Sequence, residues 1–123
     1  MAKQMNDLFA DAAFDWLSGS VTLEWAVSGS VAPADYAHVT SASCASIGIA
    51  GSSLTKANGD TNGRKVTVLA RAGASILTTG DATHVALTSA DTLLYVTTCT
   101  LQTLTAGGTV DFPAWDIEIA DPT

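Results

Sequence analysis

Residues 80–98 read GDATHVALTSADTLLYVTT, and the reading of this stretch decides the fold. Thr83 to Thr88 and Leu93 to Thr100 are short runs rich in β-prone side chains, with Gly80-Asp81 ahead of the first and Ala90-Asp91 between the two. Those separators are residue types with a physical reason to turn the chain. Leu93-Leu94-Tyr95-Val96 is apolar on both sides, which predicts the central strand of a sheet.

The same punctuation continues outward. Lys65 to Ala70, Ser75 to Thr78, Thr109 to Phe112 and Trp115 to Ala120 are further β-prone runs, divided by Ala72-Gly73, Gly107-Gly108 and Pro113. Trp115, Ile117 and Ile119 alternate with Asp116 and Glu118, a strand with one wet face. Upstream, Val21, Leu23, Trp25 and Val27 fall on one side of a strand and Thr22, Glu24 and Ala26 on the other, so this strand is expected to be half buried. Pro33-Ala34-Asp35-Tyr36-Ala37 suits a short helical turn. From Thr40 to Ser53 only Ile47 and Ile49 support a weak strand. The expectation is a mainly β fold, a single β-sandwich or barrel-like domain of about six to eight short antiparallel strands.

Ahead of the strands, Asn6 to Leu17 carries a helical period, with Leu8, Phe9, Ala12, Ala13, Trp16 and Leu17 on one face, Asn6 or Asp7 to cap the start and Gly19 to stop it. Residues 1–19 are therefore expected as one N-terminal amphipathic helix and 20–123 as the β domain of a single unit, 1–123. Asp7, Asp11 and Asp15 step by four along the other face, as a solvated side or a docking face. Leu8, Phe9 and Trp16 are expected either to cap the sandwich or to insert into a neighbour. By the apolar register of their elements, Trp16, Trp25 and Trp115 are all expected in the core.

The 123 residues suffice for one core and not for two. Only 14% are charged, well under the usual share of about 25%. Such a surface, rich in Ala, Thr, Ser and Gly, suits a protein packed in an assembly. Twelve acids against five bases, a net charge of −7, argue against nucleic-acid binding, which needs a basic face. No apolar run has the length of a bilayer span or a signal peptide, so neither a membrane partner nor export through a leader is expected. Cys44 and Cys99 have no metal spacing and are expected as two buried thiols, with a bridge between them as the alternative.

Chemistry finds few footholds. NGDTNGRK (residues 58–65) partly matches a calcium loop, with Asn58, Asp60, Asn62 and Gly63 in place, but Leu69 stands where a bidentate Glu is needed. It also lacks the glycine spacing and the strand-to-helix setting of a phosphate loop. What remains is a tight turn bearing Arg64 and Lys65, a basic spot suited to contact with another protein. His38 and His84 have no singular nucleophile or acid cluster beside them. Asp116 and Glu118 share a strand face at a separation some glycosidases use, a coincidence of any wet strand. No catalytic, cofactor or metal residue is assigned.

The residues that follow one another as PADYA (33–37), NGDTNGRKVTV (58–68), GDATHVALTSADTLLYVTT (80–98) and LTAGGTVDFPAWDIEIADP (104–122), behind a short amphipathic helix, resemble small structural proteins encoded among the virion genes of tailed bacteriophages and prophages. The resemblance implies a virion component without enzymatic activity, made in the host cytoplasm. Joined to the poorly charged, small-residue-rich surface and the segregated basic loop, it leads to the expectation of a decoration or accessory protein of the capsid or neck, a symmetric homo-oligomer docked on the major capsid, neck or tail protein. A tail or fibre-associated protein and a sugar-binding adhesion module are the alternatives. Leu8, Phe9, Trp16, Arg64 and Lys65 are the expected partner contacts.

Overall fold

A computed structural model of the chain describes residues 7–60 and 63–119, with side chains described from residue 11 onward. The order is α1 (Asp7–Ser20), β1 (Leu23–Ser28), α2 (Tyr36–Ala42), β2 (Ser43–Gly48), a 3-10 turn (Gly51–Ser53), β3 (Leu54–Asn58), β4 (Arg64–Val68), β5 (Arg71–Ser75), β6 (Gly80–Thr88), β7 (Leu93–Leu104), β8 (Thr109–Phe112) and β9 (Trp115–Ile119). All the strand pairings are antiparallel: a four-stranded sheet β2-β1-β6-β7, a three-stranded sheet β3-β4-β9 and a two-stranded ribbon β5-β8. The mainly β, sandwich-like expectation with an N-terminal helix is met, with nine described strands in place of six to eight and a second helix.

Register explains the layers. In the four-stranded sheet Glu24 stands opposite Leu87 and Ala26 opposite Val85, and this face looks into the sandwich. There Leu87 joins Phe14, Leu17, Leu54, Val66, Val68 and Ile117 in one core, and Ala26 joins Ala82, Leu104 and Phe112 in a second beneath the β5-β8 ribbon. The reverse face packs Val27 and Ala86 against Val39 of α2, with Trp25, Leu93 and Val96 at the margin. Asp35 starts that helix, its Oδ1 accepting from the His38 N–H at 2.8 Å.

Four expectations are corrected. Leu93 to Val96 lies in β7, at the end of its sheet and not at its centre. Its two apolar sides report layers above and below, since Leu94 packs on one core and Leu93 and Val96 on another, while β1 and β6 hold the central places. Helix α1 buries Phe14 and Leu17, at 2% and 7% exposure, and leaves Trp16 61% exposed. The buried stripe runs Asp11, Phe14, Leu17 or Ser18, Val21, so a charged first member hid it from an apolar count. Glu24, expected on a wet face, is fully buried, because β1 is covered on both faces. Finally, Ala72-Gly73 does not end a strand. It forms a bulge within β5, where the register breaks between Arg71 and Ala74 and Gly73 takes φ 79°.

NGDTNGRK is the turn of the β3-β4 pair, Asn58 opposite Arg64. The Gly59 N–H donates to Gly63 O at 3.0 Å, and Gly63 has φ 72°, a conformation that favours glycine.

Candidate functional site

The charged residues of the turn face this chain's own acids. Arg64 donates from Nε to Asp11 Oδ1 at 3.0 Å and from Nη2 to Asp11 Oδ2 at 3.4 Å, both side chains 17% exposed, and Nη1 reaches Asn58 Oδ1 at 2.8 Å. Lys56 on β3 pairs with Asp15 one helical turn further on. Asp11 and Asp15 of the acid stripe therefore dock on the β3-β4 pair, while the side chain of Asp7 lies outside the described residues. Phe14 and Leu17 of the same helix enter the core, so the ion pairs fix one side of the helix while apolar burial holds the other.

Lys65 spans the next strand boundary, its Nζ 2.8 Å from Asp60 and 3.4 Å from Asp116. The hydrogen bond to Asp60 raises its pKa above the ordinary lysine value. Asp116 also accepts from Thr67 Oγ1 at 2.7 Å, and that bond above all, helped by Lys65, lowers its pKa. Glu118 accepts from the Asp60 N–H at 2.7 Å. The two wet carboxylates of β9 are thus tied into the turn. Arg64 and Lys65 both work within the fold, and reversing Arg64 strikes the helix dock as well as any partner.

Glu24 is the polar group that sequence reasoning missed. Its Oε2 accepts from Trp115 Nε1 at 2.8 Å across the two sheets, while Oε1 has no partner among the described residues and neither does the buried Nε of Arg71. Burial pushes the Glu24 pKa up, against the Trp115 bond and the Arg71 charge, which pull it down. Trp115 also stacks on Tyr95 of β7, centroids 5.8 Å apart. Trp25 donates to Thr88 Oγ1 at 2.8 Å and meets Tyr36 edge to face. Only the alternation of Trp115 with Asp116 hinted that this indole points inward.

Beside Trp115 the sandwich opens into a cleft of about 510 Å³ between β6-β7 and β8-β9, lined by Ala26, Val85, Leu104, Val110 and Phe112 together with threonines and Cys99 of β7. Cys44 and Cys99 are free thiols, Cys44 buried and Cys99 half-buried, and burial raises the Cys99 pKa. His84 is buried, its Nδ1 2.9 Å from Thr83 Oγ1. Among the described residues no three of His, Cys, Asp and Glu gather within reach of one metal ion, and no helix is long and apolar enough to cross a membrane.

Of the expected partner contacts, Leu8 and Phe9 lie outside the described side chains, Trp16 stands in solvent on α1, and Arg64 and Lys65 lie beneath that helix and beside it. What the structure brings together is a clamped helix with one exposed tryptophan, and a long neutral strand, β7, next to an apolar cleft. Comparison with protein-family models, with curated proteins and with solved structures gives no match to this chain.

Proposed function

We propose that this chain is a non-enzymatic structural subunit of a tailed-phage particle, a decoration or accessory protein that works as one of many copies on the capsid or neck. The observation that carries the reading is where the charge goes. Four of the five bases, Lys56, Arg64, Lys65 and Arg71, sit around β3, β4 and β5. Three of them form ion pairs with this chain's own acids, and Arg71 donates to Gly48 O at 2.8 Å. Charge is used to lock the helix and the turn. Apart from exposed acids such as Asp35, Asp81, Asp91 and Asp111, the rest of the described surface is rich in threonine, serine and alanine, stretches that neighbouring copies approach without the cost of stripping water from ions. The resemblance of the sequence to phage virion proteins supplies the setting, and multivalency supplies the strength that individual contacts lack.

Quantitative peptide mass spectrometry on gradient-purified particles of the phage or prophage that encodes the chain tests this. The expected result is many copies per particle, at a fixed ratio to the major capsid or neck protein. Absence from particles, with the chain free in the lysate, overturns it.

A further inference from the structure

The stretch NGDTNGRK carries two Asn-Gly dipeptides, Asn58-Gly59 and Asn62-Gly63, and the fold gives the first of them a chemistry of its own. An asparagine followed by glycine is open to attack on its side chain, because no Cβ shields the next backbone nitrogen. In that reaction the Gly59 nitrogen bonds to Cγ of Asn58 and gives up its proton, and the side-chain amide leaves as ammonia. Water then opens the resulting succinimide at either carbonyl, leaving aspartate or isoaspartate at position 58.

Asn58 is exposed, so water reaches it, but the strand pairing withholds the nucleophile. Asn58 is the last residue of β3 and stands opposite Arg64, whereas ring closure needs its backbone rotated until the next nitrogen meets Cγ. The Gly59 N–H donates to Gly63 O at 3.0 Å, and Asn58 Oδ1 accepts from Arg64 Nη1 at 2.8 Å. Further ties hold this end of the pair: the Asp60 N–H donates to Glu118, and Lys65 Nζ donates to Asp60. The Arg64 guanidinium draws electrons from the Asn58 carbonyl and by itself favours attack. Reaction still requires the two atoms in contact, which the paired strand forbids. Geometry therefore outweighs activation, and reaction proceeds only when the end of the β3-β4 pair unzips.

We propose that Asn58 is a deamidation site shielded by the β3-β4 pairing, and that its conversion is relayed to α1 through Arg64. The rate follows the population of the unzipped end. Of the two products, aspartate keeps an oxygen for Arg64 Nη1. Isoaspartate routes the backbone through the side chain and adds a carbon to β3 opposite Arg64. Because Arg64 also holds Asp11 through Nε and Nη2, the lengthened strand displaces the residue that clamps the helix. This chemistry needs no partner and is independent of any assembly.

Timed incubation at mildly alkaline pH, in native buffer and in concentrated urea, tests the shielding. Trypsin releases residues 57–64, or 57–65 from the Arg64→Ala variant, and tandem mass spectrometry of that peptide tells a change at 58 from one at 62. Conversion at 58 is expected to be at least about tenfold slower in the native chain than in the unfolded one. Arg64→Ala, which unties Asn58, speeds the native reaction and not the one in urea. Material converted in urea and refolded is then separated into its aspartyl and isoaspartyl forms. The isoaspartyl form unfolds at the lower urea midpoint, and the gap narrows in an Asp11→Ala background, which has no clamp to lose. No conversion at 58 in urea overturns the site. Native conversion as fast as in urea, or unmoved by Arg64→Ala, overturns the shielding, and equal midpoints or a gap unchanged by Asp11→Ala overturn the relay to α1.

Discussion

The Asp11–Arg64 pair sets the position of α1, and a double-mutant cycle measures how strongly. Both side chains are 17% exposed and share two contacts, whereas the Asp15–Lys56 pair lies at 62% and 35% exposure. Two unit charges about 4 Å apart attract by about 4 kcal/mol gross at an effective dielectric constant of about 20, and the cost of desolvation cancels much of that. For the half-buried pair a net coupling of about 1–2 kcal/mol is expected. Exposed pairs give about 0.2–1 kcal/mol, and Asp15–Lys56 belongs at the lower end. The assay is urea unfolding of Asp11→Ala, Arg64→Ala and the double variant, beside the matching Asp15→Ala and Lys56→Ala set, at one fixed protein concentration. At 1 M salt, where the screening length is about 3 Å, the Asp15–Lys56 coupling vanishes and most of the Asp11–Arg64 coupling remains. An Asp11–Arg64 coupling below about 0.5 kcal/mol, or no larger than that of Asp15–Lys56, refutes the claim that this charge pair positions the helix.

Phe14→Ala is expected to cost about 3–5 kcal/mol, the usual loss for a buried ring. Trp16→Ala leaves stability within about 0.5 kcal/mol, so chemical denaturation of the two variants tells the core face of α1 from its exposed one. Glu24→Gln keeps an oxygen for the Trp115 indole and removes the buried charge, so its midpoint at neutral pH lies above that of the parent. The sign follows from the raised pKa of Glu24: its contribution is fully present below the ordinary value of 4.5 and is lost as pH rises through the folded value. Thermal melts of the parent therefore fall from mildly acidic to neutral pH through this group, and the glutamine variant lacks that slope. Asp116 acts the other way, its lowered pKa giving stability above the ordinary 3.8 that is lost on further acidification. Alkylation without denaturant labels Cys99 slowly, faster at alkaline pH because burial raises its pKa, and leaves the buried Cys44 unlabelled. Mass spectrometry after timed quenching checks both, and rapid labelling of Cys44 contradicts its place in the core.

Period-two patterning and turn residues made β1, β4, β6, β7, β8 and β9 legible, because in each the turn chemistry and the β-branched content agree. Strand β3 left no such trace, since Lys56 and Asn58 are ordinary loop residues and only pairing with β4 makes them a strand. The face of α1 was misread for a physical reason: Asp11 belongs to the buried stripe by virtue of a cation 53 residues away, which no local window contains. The same holds for Glu24, whose partner Trp115 is 91 residues distant. Apolarity told which side chains of β7 meet a layer and not whether a strand lies beside it, so its edge position stayed hidden. The turn at NGDTNGRK was legible as a turn, and its basic residues belong to the internal ion pairs that fix α1 and β9.

A density map of the intact particle tests the central claim most directly. This domain is expected at symmetry-related positions on the capsid or neck, with α1 clamped on β3 and β4. Particles whose density leaves no place for the domain, while the chain is abundant in the infected cell, contradict it.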